Sequence, residues 1–229
     1  MTRKKTVWLS IAGGLVVVIA VLAIGGPIFY RDVIVGPPAA VPTVAVTPGG
    51  SSLAGTELAG TWKVASGSTA GYRVKEVLNG TDVTVVGSTK NVTGEFTFAT
   101  NTLTAGSVEV DVASIATDSS SRDEYFRTSA LETDIHPTAT FTLSSPVAVA
   151  NLAAGKLDRF TVAGRLTLHG VTRAVTVPME AALSGRGAKV SGSIPVTFAD
   201  YGVQAPSLGF VTVQKKGSVE FLLDAAPAS

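Results

Sequence analysis

The chain has 229 residues, 45% of them apolar and only 15% charged, with no Cys and 2 His. Those counts exclude a disulfide scaffold, a thiolate-ligated zinc or iron–sulfur site and a cysteine nucleophile, and they leave little stock for a multi-histidine metal centre. The net charge of +1 hides an asymmetry: residues 1–32 hold Arg3, Lys4, Lys5 and Arg31 against Asp32 alone, so the remainder carries 14 basic and 16 acidic residues. A weakly acidic domain without a basic stripe does not suit nucleic acid.

At the N-terminus, Arg3-Lys4-Lys5 precede an uncharged run whose core, Val7–Tyr30, spans 24 residues. As a helix this run would be about 36 Å long, enough to cross a hydrocarbon layer of about 30 Å. The basic cluster before it predicts a cytoplasmic N-terminus, and Trp8, Phe29 and Tyr30 suit the two interfaces. A cleaved signal peptide would start alike. Its apolar core, however, is usually about 7–15 residues and ends in a small-x-small site, and Gly25-Gly26-Pro27 followed by more apolar residues is a poor one. Residues 1–32 therefore read as a basic cytoplasmic start and a transmembrane signal anchor. That reading expects a single-pass protein of the cell membrane with its domain on the extracytoplasmic side. Residues 33–58, with Gly36-Pro37-Pro38, Pro42 and Pro48-Gly49-Gly50-Ser51-Ser52, read as a Pro/Gly-rich linker. If coil-like, its ends would lie about 30 Å apart.

Residues 59–229 form one domain dominated by alternation. In Thr138-Ala139-Thr140-Phe141-Thr142-Leu143 every second residue is apolar, and Gly94–Phe98 and Ser107–Val112 behave alike. Val175, Val177, Met179, Ala181 and Leu183 share one parity; Val190, Ile194, Val196 and Phe198 share another. A period of two puts one parity on each face of a strand, and one apolar face opposite a Thr/Ser/charged face is the antiparallel pattern. Strands are expected at 69–76, 82–88, 92–99, 103–113, 138–146 and 159–168, then 172–183 with 188–199 as one long hairpin, and 217–225. Turns are expected at Asn79-Gly80, His169-Gly170 and Gly185-Arg186-Gly187.

Asp118–Leu131 lacks alternation, and its Ser run followed by Arg122-Asp123-Glu124 predicts a short helix with acids in the first turn. Phe126 and Leu131 would pack it over one end of the sheet. About eight antiparallel strands with one apolar face can bury it as a sandwich or as a closed barrel. Strands of up to about twelve residues, with few positions suited to switching sheets, favour the barrel.

The ordered pieces Trp62, Gly71-Tyr72-Arg73-Val74, Val92-Thr93-Gly94, Arg122-Asp123, His136-Pro137-Thr138-Ala139-Thr140-Phe141, Leu166-Thr167-Leu168-His169-Gly170-Val171-Thr172-Arg173 and Asp200-Tyr201-Gly202 together resemble the YceI-like family of polyisoprenoid-binding, lipocalin-like proteins. The resemblance covers about 60–226, and the anchor points to a membrane-tethered subgroup. One departure is that Lys63–Ser68 holds neither the Asp nor the His that many soluble members carry there. The resemblance implies an all-β, extended antiparallel lipocalin-like barrel with one short helix, enclosing a long apolar cavity for a prenyl quinone or prenyl alcohol derivative. It implies no enzyme activity and no cofactor beyond the bound lipid, and it leaves room for a membrane redox or lipid-metabolism partner.

The wall candidates are then Phe96, Phe98, Val108, Val110, Phe141, Val162, Leu166, Val177, Met179, Ile194, Phe198 and Phe221, with Phe126 from the helix. Taken singly, each reads first as plain core; the set as a whole carries the wall reading. Arg122 either pairs with Asp123 or receives a diphosphate or quinone oxygen at the mouth, because guanidinium donates bidentately. Tyr201 either shapes a loop or turns its hydroxyl to the cavity. His169 reads as a turn residue bonded to backbone, and Lys215-Lys216 as a solvated turn. A ligand-free surface interaction domain and, less well, a hydrolase are the competing functions; no Gly-x-Ser-x-Gly elbow occurs.

Overall fold

The computed structural model describes residues 37–46, 58–78, 80–149, 152, 155–207, 209 and 211–228. The membrane span expected over Val7–Tyr30 lies outside them, and no helix among the described residues is long and apolar enough to cross a membrane. The elements in chain order are β1 (Gly60–Val64), β2 (Thr69–Leu78), β3 (Thr81–Thr89), β4 (Val92–Ala99), β5 (Thr102–Asp111), α1 (Ser120–Tyr125), β6 (Thr138–Leu143), β7 (Val147–Ala148), β8 (Asp158–Leu168), β9 (Val171–Ser184), β10 (Gly187–Thr197) and β11 (Val211–Pro227).

The sheet runs β1-β4-β5-β6-β8-β9-β10-β11-β2-β3, and β1 also pairs with β11. That last pairing, Trp62↔Pro227 to Val64↔Ala225, closes the sheet into an antiparallel eight-stranded barrel. Eight is the number because two strands are each interrupted once. β1 and β2 both pair with β11, and the ladder jumps from Val64↔Ala225 to Thr69↔Leu222, so Ala65–Ser68 bulge out. The buried Ser68 hydroxyl holds this bulge by donating to the Ala65 carbonyl (2.8 Å) and accepting from the Asp224 N–H (3.0 Å). β3 and β4 follow the same course on the other side, pairing with β2 and β1 respectively.

Three departures from the sequence reading have local causes. β1 escaped notice because it is short: its alternation amounts to Trp62 and Val64 alone, on either side of Lys63. Lys215 and Lys216 are not a turn: they lie inside β11, at an irregularity between Val213 and Gly217 that leaves both exposed. The β9–β10 hairpin is paired only from Gly187↔Ser184 to Gly192↔Met179. The ladder stops beside Pro178, which has no N–H to continue it. Beyond that point a 3-10 turn, Phe198–Tyr201, fills the gap, and the Asp200 carbonyl accepts from Arg173 Nε (2.9 Å).

The described part of the expected linker is not a free coil. Residues 37–46 run extended, Val44 is buried, and Arg73 Nη2 donates to the Ala39 carbonyl (2.7 Å) while its Nε donates to Glu220 (2.8 Å).

The expected helix is present. The Ser119 hydroxyl caps α1 by accepting from the Arg122 N–H, and a π-helical turn, Phe126–Ala130, follows. Leu131 is buried against Val112 and Ile115, and Phe126 stacks on Tyr72 with ring centroids 4.9 Å apart. The stretch leading into α1 meets β3 at the Ser88↔Ala116 bridge.

Candidate functional site

The inner face of the barrel does not fill its interior. Two cavities adjoin inside it, sharing the walls Ala70, Val110, Ala139 and Val219. The inner one, about 120 Å³, is walled by hydrocarbon. Its far end is stopped by Trp62, whose indole N–H donates to the Leu58 carbonyl (2.9 Å), in a cluster with Val149, Leu152 and Leu183. The outer one, about 470 Å³, lies under α1 and its following turn and mixes apolar walls with Tyr72, Arg73, Glu76, Arg122 and Tyr125. A lumen of this size and mostly apolar lining falls in the range of ligand pockets, roughly 300–1,000 Å³.

The lumen stays open through a recurring arrangement of aromatic rings over glycines. On the inner face Phe221 lies over Gly192, Phe141 over Gly164, Phe96 over Gly106, Tyr72 over Gly87 and Phe198 over Gly217. Phe221↔Gly192, Phe96↔Gly106 and Tyr72↔Gly87 are direct cross-strand partners. A glycine leaves a hollow on the inward side of its strand, and the neighbouring ring lies down into it instead of standing across the lumen.

Of the wall residues expected from the sequence, Phe96, Phe98, Val108, Val110, Phe141, Val162, Leu166, Met179, Ile194 and Phe221 line the inner cavity. Phe126, Phe198 and Arg122 line the outer one, with Val110 again. Val177 and Tyr201 line neither: both are buried behind the wall, in one cluster with Leu166, Ile194 and Val196. Burial pushes the Tyr201 hydroxyl above its ordinary pKa, outweighing nearby Arg173.

Arg122 does not pair with Asp123. Its Nη2 reaches Glu76 (3.2 Å) and its Nη1 reaches Asp118 (2.6 Å). Asp123 instead accepts from the N–H (2.9 Å) and hydroxyl (2.7 Å) of Thr117. Burial alone would lower the Arg122 pKa, but the charges of Glu76 and Asp118 outweigh it and raise it. Glu76 is 5% exposed and faces inward with Tyr72, Val74 and Leu78. It is the functional-wall residue that sequence reasoning missed. The signal was there: an acid in phase with the apolar parity of its own strand. Tyr72, Trp62 and Phe160 were also not counted as wall, though Phe160 sat in an alternating run.

His169 occupies the expected β8–β9 turn with φ +50°, followed by Gly170 at +73°. Its Nδ1 faces the Tyr201 carbonyl (3.1 Å) and its Nε2 faces Glu132 Oε2 (3.0 Å), while His136 packs edge-on against it at 4.8 Å between centroids. Both histidines of the chain thus tie the end of the helical segment to the β8–β9 turn, outside either cavity.

These features define a closed, antiparallel eight-stranded barrel with a hollow, largely apolar lumen, one stoppered end and a short helix over the other. The YceI-like domain matches residues 62–225. This chain belongs to the YceI-like family. No curated protein matches it. Among solved structures it is similar to a polyisoprenoid binding domain from Saccharophagus degradans implicated in plant cell wall breakdown, at 22% identity and TM-score 0.60 over 73% of this chain and 98% of that one. It is also similar to BcnA from Burkholderia cenocepacia, at 21% identity and TM-score 0.52 over 67% of this chain and 95% of that one.

Proposed function

We propose that this protein holds a polyisoprenoid lipid, a prenyl quinone or prenyl alcohol derivative, in the barrel lumen for transport, storage or stress protection. The observation that carries the reading is the two-part lumen: a hydrocarbon-walled inner cavity continuous in its walls with a larger, partly polar outer one. A chain buried there gains roughly 25 cal/mol per Å² of apolar surface removed from water. The S. degradans relative, described as polyisoprenoid binding, supports the same ligand class. A ligand-free scaffold would be expected to fill its middle with side chains, and rings laid over glycines do the opposite.

The function proposed is binding, not catalysis. The uncharged run Val7–Tyr30 supports a membrane tether with the barrel outside the cytoplasm, where such lipids are within reach. The docked strap at residues 37–46 would then shorten the free tether. Extraction of the purified full-length protein into organic solvent, followed by mass spectrometry, should yield a long isoprenoid at close to one per chain. Protein that copurifies with no apolar molecule, and takes up none from prenol-containing vesicles, would sink the proposal.

A further inference from the structure

Residues 33–229 are weakly acidic as a whole, yet one outer flank of the barrel is basic. The register of β2 and β11 runs from Val213↔Glu76 to Gly217↔Val74, so Gln214, Lys215 and Lys216 bulge opposite the single residue Lys75. Lys75, Lys215 and Lys216 are all exposed, and none has an ion pair among the described residues. Lys75 points outward, because Val74 and Glu76 on either side of it turn into the barrel and line the outer cavity. Lys216 points outward too, since the next residue, Gly217, faces the Phe198 ring inside. Val77, also exposed, continues the face of Lys75, and its cross-strand partner Asp82 adds one carboxylate there. Arg73, on the same face, is neutralised by Glu220. Three unneutralised cations gathered on one patch repel one another, and an anionic surface relieves that repulsion. The helical segment over the outer cavity exposes Glu124 and Asp134 instead.

The strap reaches this same flank. Arg73 donates to the Ala39 carbonyl (2.7 Å), two residues along β2 from Lys75. Tyr30, at the end of the uncharged run, precedes Ala39 by nine residues, a reach of about 30 Å at full extension. After Ala39 the chain goes on to Leu58, which accepts from Trp62 at the stoppered end. The chain therefore arrives at the basic flank of the outer cavity and leaves it toward the closed end.

We infer that the β2–β11 flank, with Lys75, Lys215, Lys216 and Val77, docks on an anionic phospholipid surface and so holds the outer cavity beside the bilayer. The inference rests on the membrane-tether reading and adds to it the face and the lipid charge through which the barrel meets the membrane. Three lysines against one aspartate leave two net charges, which favour the docked orientation about thirtyfold on an anionic surface.

The chain has no Cys, so Val77→Cys gives a single attachment point for a polarity-sensitive dye. Arg186→Cys, in the exposed β9–β10 turn at the stoppered end, gives the control. Full-length protein is reconstituted into nanodiscs of brominated phosphatidylcholine with and without phosphatidylglycerol. The Val77→Cys dye should shift to the blue and be quenched in the anionic discs only, and about 1 M salt should abolish both effects. Changing the three lysines to Gln should abolish them as well, and changing them to Arg should not. The Arg186→Cys dye should stay unquenched throughout. Equal quenching at Val77→Cys in neutral and anionic discs, no quenching in either, quenching indifferent to the Gln changes, or quenching at Arg186→Cys in its place overturns the docking inference and leaves the tether reading standing. Salt-sensitive association with anionic discs alone, without insertion, overturns the tether and leaves the docking. Association with neither disc overturns both.

Discussion

Phe221 lies across Gly192, its direct cross-strand partner, so closely that a Cβ on Gly192 would stand 2.5 Å from the ring's Cζ and 3.1 Å from the Pro178 carbonyl oxygen. The ring can move, but the backbone carbonyl cannot. Gly192→Ala is therefore expected to swing Phe221 into the inner cavity and to cost about 1–3 kcal/mol in overpacking. Urea unfolding should show the loss, and lipid loading should fall with it. Adding Phe221→Leu to the same chain should restore both; restoration of neither would mean that the ring does not guard the lumen.

Ala139 lines both cavities, at the register position opposite Val110, which also lines both. Ala139→Leu should narrow the passage between them. The expected outcome is a protein that still binds a short prenol but loses a long one, read by titration with prenols of graded length. An equal loss for all lengths would show instead that the cavities are used separately or not at all.

Trp62 is 2% exposed, its indole N–H is bonded to Leu58, and its ring meets Phe98 edge-on at 5.8 Å. Trp62→Ala removes the stopper of the closed end and should cost about 3–5 kcal/mol, the usual range for a buried large aromatic. Denaturant unfolding monitored by far-UV circular dichroism checks the magnitude. Trp62→Phe should cost much less, since it keeps most of the buried area.

Tyr72 titrates near 12 in the folded chain, against an ordinary value of 10.0, because burial disfavours the phenolate. The folded value is raised above the unfolded one, so the stability this group contributes is whole below about pH 10. It is lost as pH rises through about 12. Phenolate absorbance should show a late-titrating class, and Tyr72→Phe should remove its latest member. A Tyr72→Phe protein with an unchanged alkaline titration would place the hydroxyl in solvent.

Much of this molecule was readable along the chain, because a strand with one wet face must alternate. The parities of Val108-Val110 and Val190-Ile194-Val196, with the wall candidates Val162 and Leu166, predicted which side chains turn inward, and all of these except Val196 line the inner cavity. Val196 lines the outer cavity instead, whereas Val177, on the inward parity of Met179, lies buried beside Tyr201 of the 3-10 turn Phe198–Tyr201 and meets no space. Alternation reports the face, not whether the face opens on packing or on a void. Glu76 was passed over for a related reason: an acid on an apolar face is costly alone, and only the fold brings Arg122 to it from a segment 46 residues away.

By itself, then, the order of residues determined an antiparallel all-β domain with a short capped helix and a separate apolar run ahead of it, since each follows from local sterics and the two-residue period. Tertiary structure alone decided that the sheet closes, through Trp62↔Pro227 at opposite ends of the domain, and that its middle is hollow. It alone decided, too, that both arginines near the outer cavity are already held by carboxylates. Closure, voids and charge pairing depend on distances between residues far apart in the chain, and no local pattern carries those distances.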